Sequence, residues 1–197
     1  MPIKNEAIII FVRNPVLGLV KTRIAAKLGS EAALKVYVKL LKQTHEIVCP
    51  LTSDKFVFYA DGINHQDLWE NHLFYKRNQV AGDLGLKMQQ AFKEVFEMGY
   101  QRALIIGSDC YDLTTELMTD AFESLKQKQV VIGPAADGGY YLLGMQKMQP
   151  SLFTNIEWST PKVLAQTIEA CEKENLLYKS LPTLSDVDEA DDILFLY

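Results

Sequence analysis

Ala7-Ile-Ile-Ile-Phe-Val-Arg13 runs directly into Asn14-Pro-Val-Leu-Gly-Leu-Val-Lys-Thr-Arg23. Ala7 to Val12 is an unbroken apolar run rich in β-branched residues. Such a run reads as a strand buried on both faces, as in the middle of a parallel sheet. Asn14-Pro15 and Gly18 then mark a loop. Val20–Leu28 reads as a helix that stops at Gly29. A buried strand, a Pro/Gly loop and a helix in succession place the chain in the α/β class.

The rest of the chain continues the alternation. Ser30–Val48 reads as a helix with an apolar stripe of Leu34, Val38, Leu41 and Ile47. Lys55–Ala60 reads as a strand, His65–His72 as a short helix and Leu73–Lys76 as a strand. Asp83–Glu97 is predicted as an amphipathic helix, Ala103–Gly107 as a buried strand and Thr114–Gln127 as a helix. Strands follow at Val130–Gly133 and Tyr140–Met145, then a helix over Thr160–Glu174 with Pro161 in its first turn. A strand at Leu177–Leu181 and a short helix at Glu189–Leu196 close the chain. This order predicts a three-layer α/β/α sandwich around a mostly parallel sheet. No repeat or linker interrupts it, so residues 1–197 read as one domain. Ligands of such sheets sit beyond the carboxyl ends of the strands, which directs attention to residues 13–23, 77–87, 107–113 and 134–140.

Composition narrows the function classes. The chain has 197 residues, 48% hydrophobic and 23% charged, which excludes a disordered or fibrous chain. No apolar run approaches the roughly 20 residues of a membrane span, and no signal-peptide pattern is seen at the start. The net charge of −5 argues against a nucleic-acid partner. Cys49, Cys110 and Cys171 are widely spaced, with no C-x-x-C, so disulfides or structural zinc are not expected and a reducing cytoplasm fits. His45, His65 and His72 form no metal motif. A homodimer is compatible with the sequence, although no seam is readable. Charge is uneven. Residues 1–29 carry Lys4, Arg13, Lys21, Arg23 and Lys27 against Glu6 alone; residues 178–197 carry Lys179 against Asp186, Asp188, Glu189, Asp191 and Asp192. The two patches either meet at a site for phosphates and a metal or are two solvated surfaces.

Six segments can carry chemistry, each with a plainer alternative. The loop from Arg13 to Arg23 suits phosphate, through a helix N-terminus and added cations, or is a solvated first turn. Neither a Walker A loop nor G-x-G-x-x-G is present. Asp109 and Asp112 follow the strand ALIIG. A carboxylate there suits Mg²⁺ or Mn²⁺, while Asp112 also suits a helix cap. In Gly133-Pro-Ala-Ala-Asp-Gly-Gly-Tyr140, Asp137 suits a hydroxyl contact or a base, or the segment is a hairpin turn. Trp158 flanks an acceptor pocket or simply precedes a capped helix start at Ser159-Thr-Pro161. Asp186 and Asp188, alternating in an extended segment, complete a metal site with Asp109, or belong to an acidic exposed end. Asp83 contacts a ligand or caps a helix.

In order, F-x-R-x-P-x-x-G-x-x-K-T-R, D-L-G, G-S-D-C, D-G-G-Y-Y-L-x-G, W-S-T-P and D-V-D span Phe11 to Asp188. Together they resemble a bacterial family of GT-A-type glycosyltransferase-like proteins, some labelled arsenosugar-biosynthesis glycosyltransferases. The resemblance implies a GT-A, nucleotide-diphospho-sugar transferase fold, with a mainly parallel sheet and one antiparallel strand. It implies that residues 11–23, with Phe11, Arg13, Pro15, Gly18, Lys21 and Arg23, bind the nucleotide, Asp83 adding to them. Asp109 and Asp188, with Asp186 as the lesser choice, would hold the metal. Asp137 would be catalytic, and Gly138, Gly139, Tyr140 and Trp158 would line the substrate. Tyr111 stands where the family usually has Pro. The implied reaction is metal-dependent transfer of a sugar from a nucleotide-diphospho-sugar to a small acceptor. P-x-x-G-x-x-K-T-R also resembles the opening of phospholactate guanylyltransferases, so transfer of a nucleotidyl group from an NTP is the alternative. A nucleotide-binding module without turnover is the reading from another class.

Overall fold

The computed structural model describes residues 5–196; Lys4 of the basic segment lies outside them. Seven strands form one sheet: β1 (Glu6–Val12), β2 (Asp54–Tyr59), β3 (Phe74–Asn78), β4 (Arg102–Ile106), β5 (Val130–Pro134), β6 (Tyr140–Met145) and β7 (Tyr178–Ser180). Their order is β3-β2-β1-β4-β6-β5-β7. β1 pairs in parallel with both neighbours, Ile9 lying opposite Phe56 of β2 and Ile105 of β4. Its unbroken apolar sequence follows from that position, since Ala7 to Ile10 are fully buried with both sheet faces covered. β6 runs antiparallel to β4 and β5. The link from β5 to β6 covers only residues 135–139, far too short for a parallel crossover.

Five α-helices cover the sheet: α1 (Thr22–Leu28), α2 (Ser30–Val48), α3 (Leu84–Glu97), α4 (Thr115–Ser124) and α5 (Val163–Lys173). Alternate residues of the central strands feed two cores, as the strand period of two requires. Ile8, Ile10, Leu104 and Ile106 pack with Tyr37 and Leu41 of α2 and Met118 and Phe122 of α4. Ala7, Ile9, Ile105 and Leu143 pack with Met88, Phe92 and Val95 of α3 and Cys171 of α5. A third, smaller cluster joins Ile24 of α1 and Val36 and Leu40 of α2 to Val187 and Ile193 near the chain's end. That cluster draws the acidic C-terminal segment onto the basic N-terminal one.

Several local expectations are corrected. Residues 65–72 form bends and a turn rather than a helix. Asp67 accepts from the Trp69 amide at 3.0 Å, pairs with Lys76 at 2.7 Å and accepts from the Tyr59 hydroxyl. This side chain offers the backbone an alternative to helix. α1 begins at Thr22, because Lys21 adopts the left-handed conformation at φ 46°. α4 is capped by Thr114, which accepts from the Leu117 amide, and not by Asp112. α5 begins at Val163, so Pro161 lies in the preceding turns. Residues Pro150–Phe153 form an unforeseen 3₁₀ turn, and the last helix, Ala190–Leu196, is also 3₁₀. Cys49, Cys110 and Cys171 are free thiols, and no described helix is long and apolar enough to cross a membrane.

The β5–β6 turn also docks α5. Gly138 has φ +90°, its carbonyl accepts from the Leu164 amide at 2.9 Å, and a Cβ there would lie 2.2 Å from the Pro161 carbonyl oxygen. Backbone blocks that space, so nothing flexible can yield. Gly138→Ala is therefore expected to lower stability by about 2–3 kcal/mol, combining left-handed strain with overpacking. Urea unfolding that leaves the midpoint unchanged would refute this account of the turn.

Candidate functional site

Two elements fix the chain as it leaves β1. The Arg13 amide donates to the Tyr37 hydroxyl at 2.9 Å, and that hydroxyl lies 3.1 Å from the Arg13 carbonyl. Burial raises the Tyr37 pKa, which keeps the phenol protonated as a donor. From the other side, Asp61 beyond β2 accepts from the Asn14 amide at 3.0 Å and from its side-chain Nδ2 at 2.9 Å. The exposed turn Val16–Leu19 then leads to Lys21.

The Lys21 side chain is 5% exposed, and its Nζ lies 2.7 Å from Asp109 Oδ1 and 4.0 Å from Asp188 Oδ1. Arg23 pairs with Asp188 Oδ2, and Lys27 lies 3.9 Å from Glu189 and 3.6 Å from Asp191. The two charge patches therefore meet. Backbone geometry produces the meeting. The segment after β7 continues alongside β5, with the Leu184 amide donating to the Pro134 carbonyl at 3.1 Å and the Val187 amide to the Asp109 carbonyl at 2.8 Å. Val187 is buried, and Asp186 and Asp188 on either side of it both face the same cavity.

That cavity has a volume of about 850 Å³, within the range of small-molecule sites. It lies at the carboxyl ends of β1 and β4, the place expected for such a sheet. Among the sequence candidates, Phe11, Arg13, Lys21, Arg23, Asp109, Asp186, Asp188 and Tyr140 line it. Pro15, Gly18, Asp83, Asp137, Gly138, Gly139 and Trp158 stand outside that lining. Asp83 caps α3, accepting from the Leu86 amide at 2.8 Å. Trp158 packs over Gly85, where a Cβ would lie 2.1 Å from its Nε1, and stacks on Phe153. Asp137 Oδ1 accepts from the Gly139 amide at 2.9 Å, so this carboxylate shapes the turn while remaining within electrostatic reach of Asp186. Tyr111 packs on the third cluster, with the Lys39 ammonium 5.9 Å from its ring centroid.

The lining also holds Tyr37, which no sequence pattern singled out, and Gln79, Lys87, Ser108 and Ser159, which lie in the flagged segments but were given no ligand role. Four non-glycine residues among those described have positive φ: Lys21, Asn155, Ser159 and Asn175. Asn tolerates that region; Lys and Ser seldom adopt it. The two exceptions, Lys21 and Ser159, both line the cavity, which is where stored backbone strain tends to collect.

Asp186 is pushed up to about 7, first by burial and then by repulsion from Asp109 and Asp137; Lys21 opposes the shift and Asp188 adds to it. Burial also pushes the Cys110 thiol up to about 12, so it is no thiolate nucleophile. Among the described residues, no three His, Cys, Asp or Glu side chains are gathered closely enough to cage an ion. Yet Asp109 and Asp188 flank one ammonium, and the field on Asp186 remains negative. Such a site fits a hard divalent cation held by one or two carboxylates plus ligand phosphates.

The chain belongs to the DUF2064 family. The family model, described as "uncharacterized protein conserved in bacteria", matches residues 45–160. No curated protein matches the sequence. A solved structure described as "putative nucleotide-diphospho-sugar transferase" from Desulfovibrio desulfuricans G20 is 32% identical, covering 98% of this chain and 86% of that one, with a TM-score of 0.89. The fold is thus the nucleotide-diphospho-sugar transferase fold that the motifs implied. More distant structures share the fold alone. The 4-diphosphocytidyl-2C-methyl-D-erythritol synthase of Anaerococcus prevotii is 11% identical over 98% of this chain and 94% of that one, at a TM-score of 0.64. Glucosyl-3-phosphoglycerate synthase of Mycobacterium tuberculosis, in complex with Mn²⁺, UDP and glucosyl-3-phosphoglycerate, is 9% identical over 92% of this chain and 70% of that one, at a TM-score of 0.57.

The Asp186 shift has a measurable consequence. Unfolded aspartate loses its proton near pH 4, whereas the folded carboxyl holds it to about 7. The folded state therefore binds the extra proton between these values, and stability falls as pH rises through the window. In metal-free protein, Asp186→Asn is expected to raise stability at about pH 8 by roughly 1–3 kcal/mol, discounted for partial exposure, and to leave it unchanged near pH 4. Thermal unfolding at the two pH values checks this; an equal effect at both would overturn the assignment.

Proposed function

We propose that the chain is a metal-dependent glycosyltransferase, moving a sugar from a nucleotide-diphospho-sugar to a small acceptor. One observation carries the reading: a buried lysine in a left-handed turn lies against Asp109 and beside Asp188, at the end of the sheet and inside a ligand-sized cavity. The 32% identical relative, by its description, supports the donor class.

In this reading Lys21 and Arg23 bind the diphosphate, exchanging carboxylate partners for phosphate oxygens. Asp109 and Asp188, with Asp186 alongside, would hold Mg²⁺ or Mn²⁺, which when bound offsets the charge that builds on the departing diphosphate. The mycobacterial neighbour's complex with Mn²⁺ and UDP is in keeping with that cofactor. Tyr37 and Asp61 keep the loop after β1 in one place, so its cations do not have to be ordered during the reaction. An acceptor hydroxyl attacks the anomeric carbon, the bond to the diphosphate oxygen breaks, and the hydroxyl proton must leave. Asp137 Oδ2, free of hydrogen-bond partners among the described residues, is the proposed carboxylate on the acceptor side.

A second reading, nucleotidyl transfer, is favoured by the K-T-R loop and by neighbours such as the Anaerococcus synthase. There a substrate phosphate attacks the α-phosphorus of an NTP and pyrophosphate leaves. Thermal shift with NTPs, NDPs and NDP-sugars, each with and without Mn²⁺, separates the two. We expect Mn²⁺-dependent stabilisation by an NDP-sugar, about 2.7 kcal/mol at a hundredfold excess over Kd, and its loss in Asp109→Asn. Stabilisation by an NTP alone would replace glycosyl transfer with nucleotidyl transfer. Metal-independent binding that survives Asp109→Asn would remove the metal role from both.

A further inference from the structure

Besides the exposed Arg13, which has no ion pair among the described residues, the cavity's cations fall into two sets on opposite faces of the sheet. Val20, beside Lys21, belongs to the core under α2 and α4; Met88, beside Lys87, belongs to the core under α3. On the first face Lys21 is matched by Asp109 and Arg23 by Asp188. On the second, Lys87 is half-buried in the cavity lining and has no anionic partner among the described residues. An ammonium in a cavity wall without a counter-charge of its own attracts an anion from outside.

Its surroundings show which ligand is near. Met88 Sδ lies 3.8 Å from the Tyr140 hydroxyl, which joins this wall to the strand that leaves the Asp137–Gly139 turn. Trp158 sits over Gly85 one turn earlier on α3, bringing the 157–161 segment against the same wall. From that segment exposed Ser159 lines the cavity, held in the left-handed region at φ 61°, and its hydroxyl has no protein hydrogen-bond partner among the described residues. An unmatched ammonium and an unmatched hydroxyl thus line one wall, away from the Lys21–Arg23 pair.

We propose that Lys87, assisted by Ser159, binds an oxyanion carried by the acceptor, so that the acceptor is an acidic small molecule bearing a phosphate or a carboxylate. This rests on the nucleotide reading above, which gives the diphosphate to Lys21 and Arg23. The test is calorimetric titration with sn-glycerol 3-phosphate, glycerate and glycerol, and separately with UDP, GDP and CDP in Mn²⁺. One or both anions should bind wild type and glycerol should not. Binding of both supports any oxyanion, and binding of glycerol 3-phosphate alone specifies phosphate. Lys87→Gln should weaken anion binding by about tenfold or more, as expected for a charged hydrogen bond. Lys87→Arg should retain most of it, and Ser159→Ala should lose less. Nucleotide affinity in Lys87→Gln should equal wild type. Equal anion affinity in Lys87→Gln, equal binding of glycerol, or no binding of either anion to wild type would overturn the proposal. So would a loss of nucleotide affinity in Lys87→Gln, which would place Lys87 on the diphosphate. Failure of all three nucleotides, with Lys87-dependent anion binding intact, would instead remove the nucleotide reading and leave the anion site standing.

Discussion

The contact between Lys21 and Asp109 ties together the three stretches on which the site depends. Lys21 follows β1, Asp109 follows β4, and Asp188, which shares the same ammonium, lies near the chain's end. As a source of stability the contact is poor. The lysine side chain is buried while the Asp109 carboxylate is 47% exposed to water. Burying an ammonium carries a desolvation penalty that its carboxylate partners offset rather than exceed, so the pair adds little. Lys21 also keeps its backbone in the left-handed region, at a further cost of order 1 kcal/mol. An apolar residue in regular helix would serve folding better. A costly charge in a strained turn, at the floor of a cavity, is arranged for something that arrives there.

The apolar packing absorbs that cost. β1 is fully buried through Ala7–Ile10 and is flanked by two parallel partners, so its carboxyl end is a rigid platform. Tyr37 and Asp61 extend the rigidity one step into the loop. On the far side, the small cluster around Ile24, Val187 and Ile193 holds the acidic segment against α1. Asp186 and Asp188 therefore meet the cavity through burial of the valine between them, and the attraction of their charges is secondary. Burial first, and then repulsion from the neighbouring carboxylates, is what Asp186 registers by keeping its proton to about 7.

Legibility in the sequence followed burial. β1 and β4 are covered on both faces and declare themselves as continuous apolar runs; β6 could be placed as a strand, and its direction follows from the five-residue link before it. Residues 65–72 misread as helix because Asp67 and Trp69 owe their positions to Lys76 and Tyr59, partners that no local pattern reveals. The same holds at the site. Lys21, Arg23 and Asp109 stand out because each follows a strand or a glycine loop, and Asp188 because it alternates with Asp186 in an acidic segment. Tyr37 is hidden in an amphipathic helix, where an aromatic residue on the buried stripe looks like ordinary core.

Lys87 is the sharper case. On α3 it follows the helix start and precedes Met88, as a solvated lysine beside a core residue would. Only the tertiary structure turns its neighbourhood into a cavity wall, through Trp158 pressed on Gly85 and Tyr140 against Met88. Ser159 is similar, since its left-handed backbone is imposed by the turns before α5 and leaves no mark in Trp-Ser-Thr-Pro. The two faces of the sheet thus divide the labour. Lys21 and Arg23, both legible in sequence, are already paired with the chain's own carboxylates. Half-buried Lys87, on the other face, has no such partner among the described residues, and an anion arriving in the cavity would meet it opposite the Lys21–Arg23 pair.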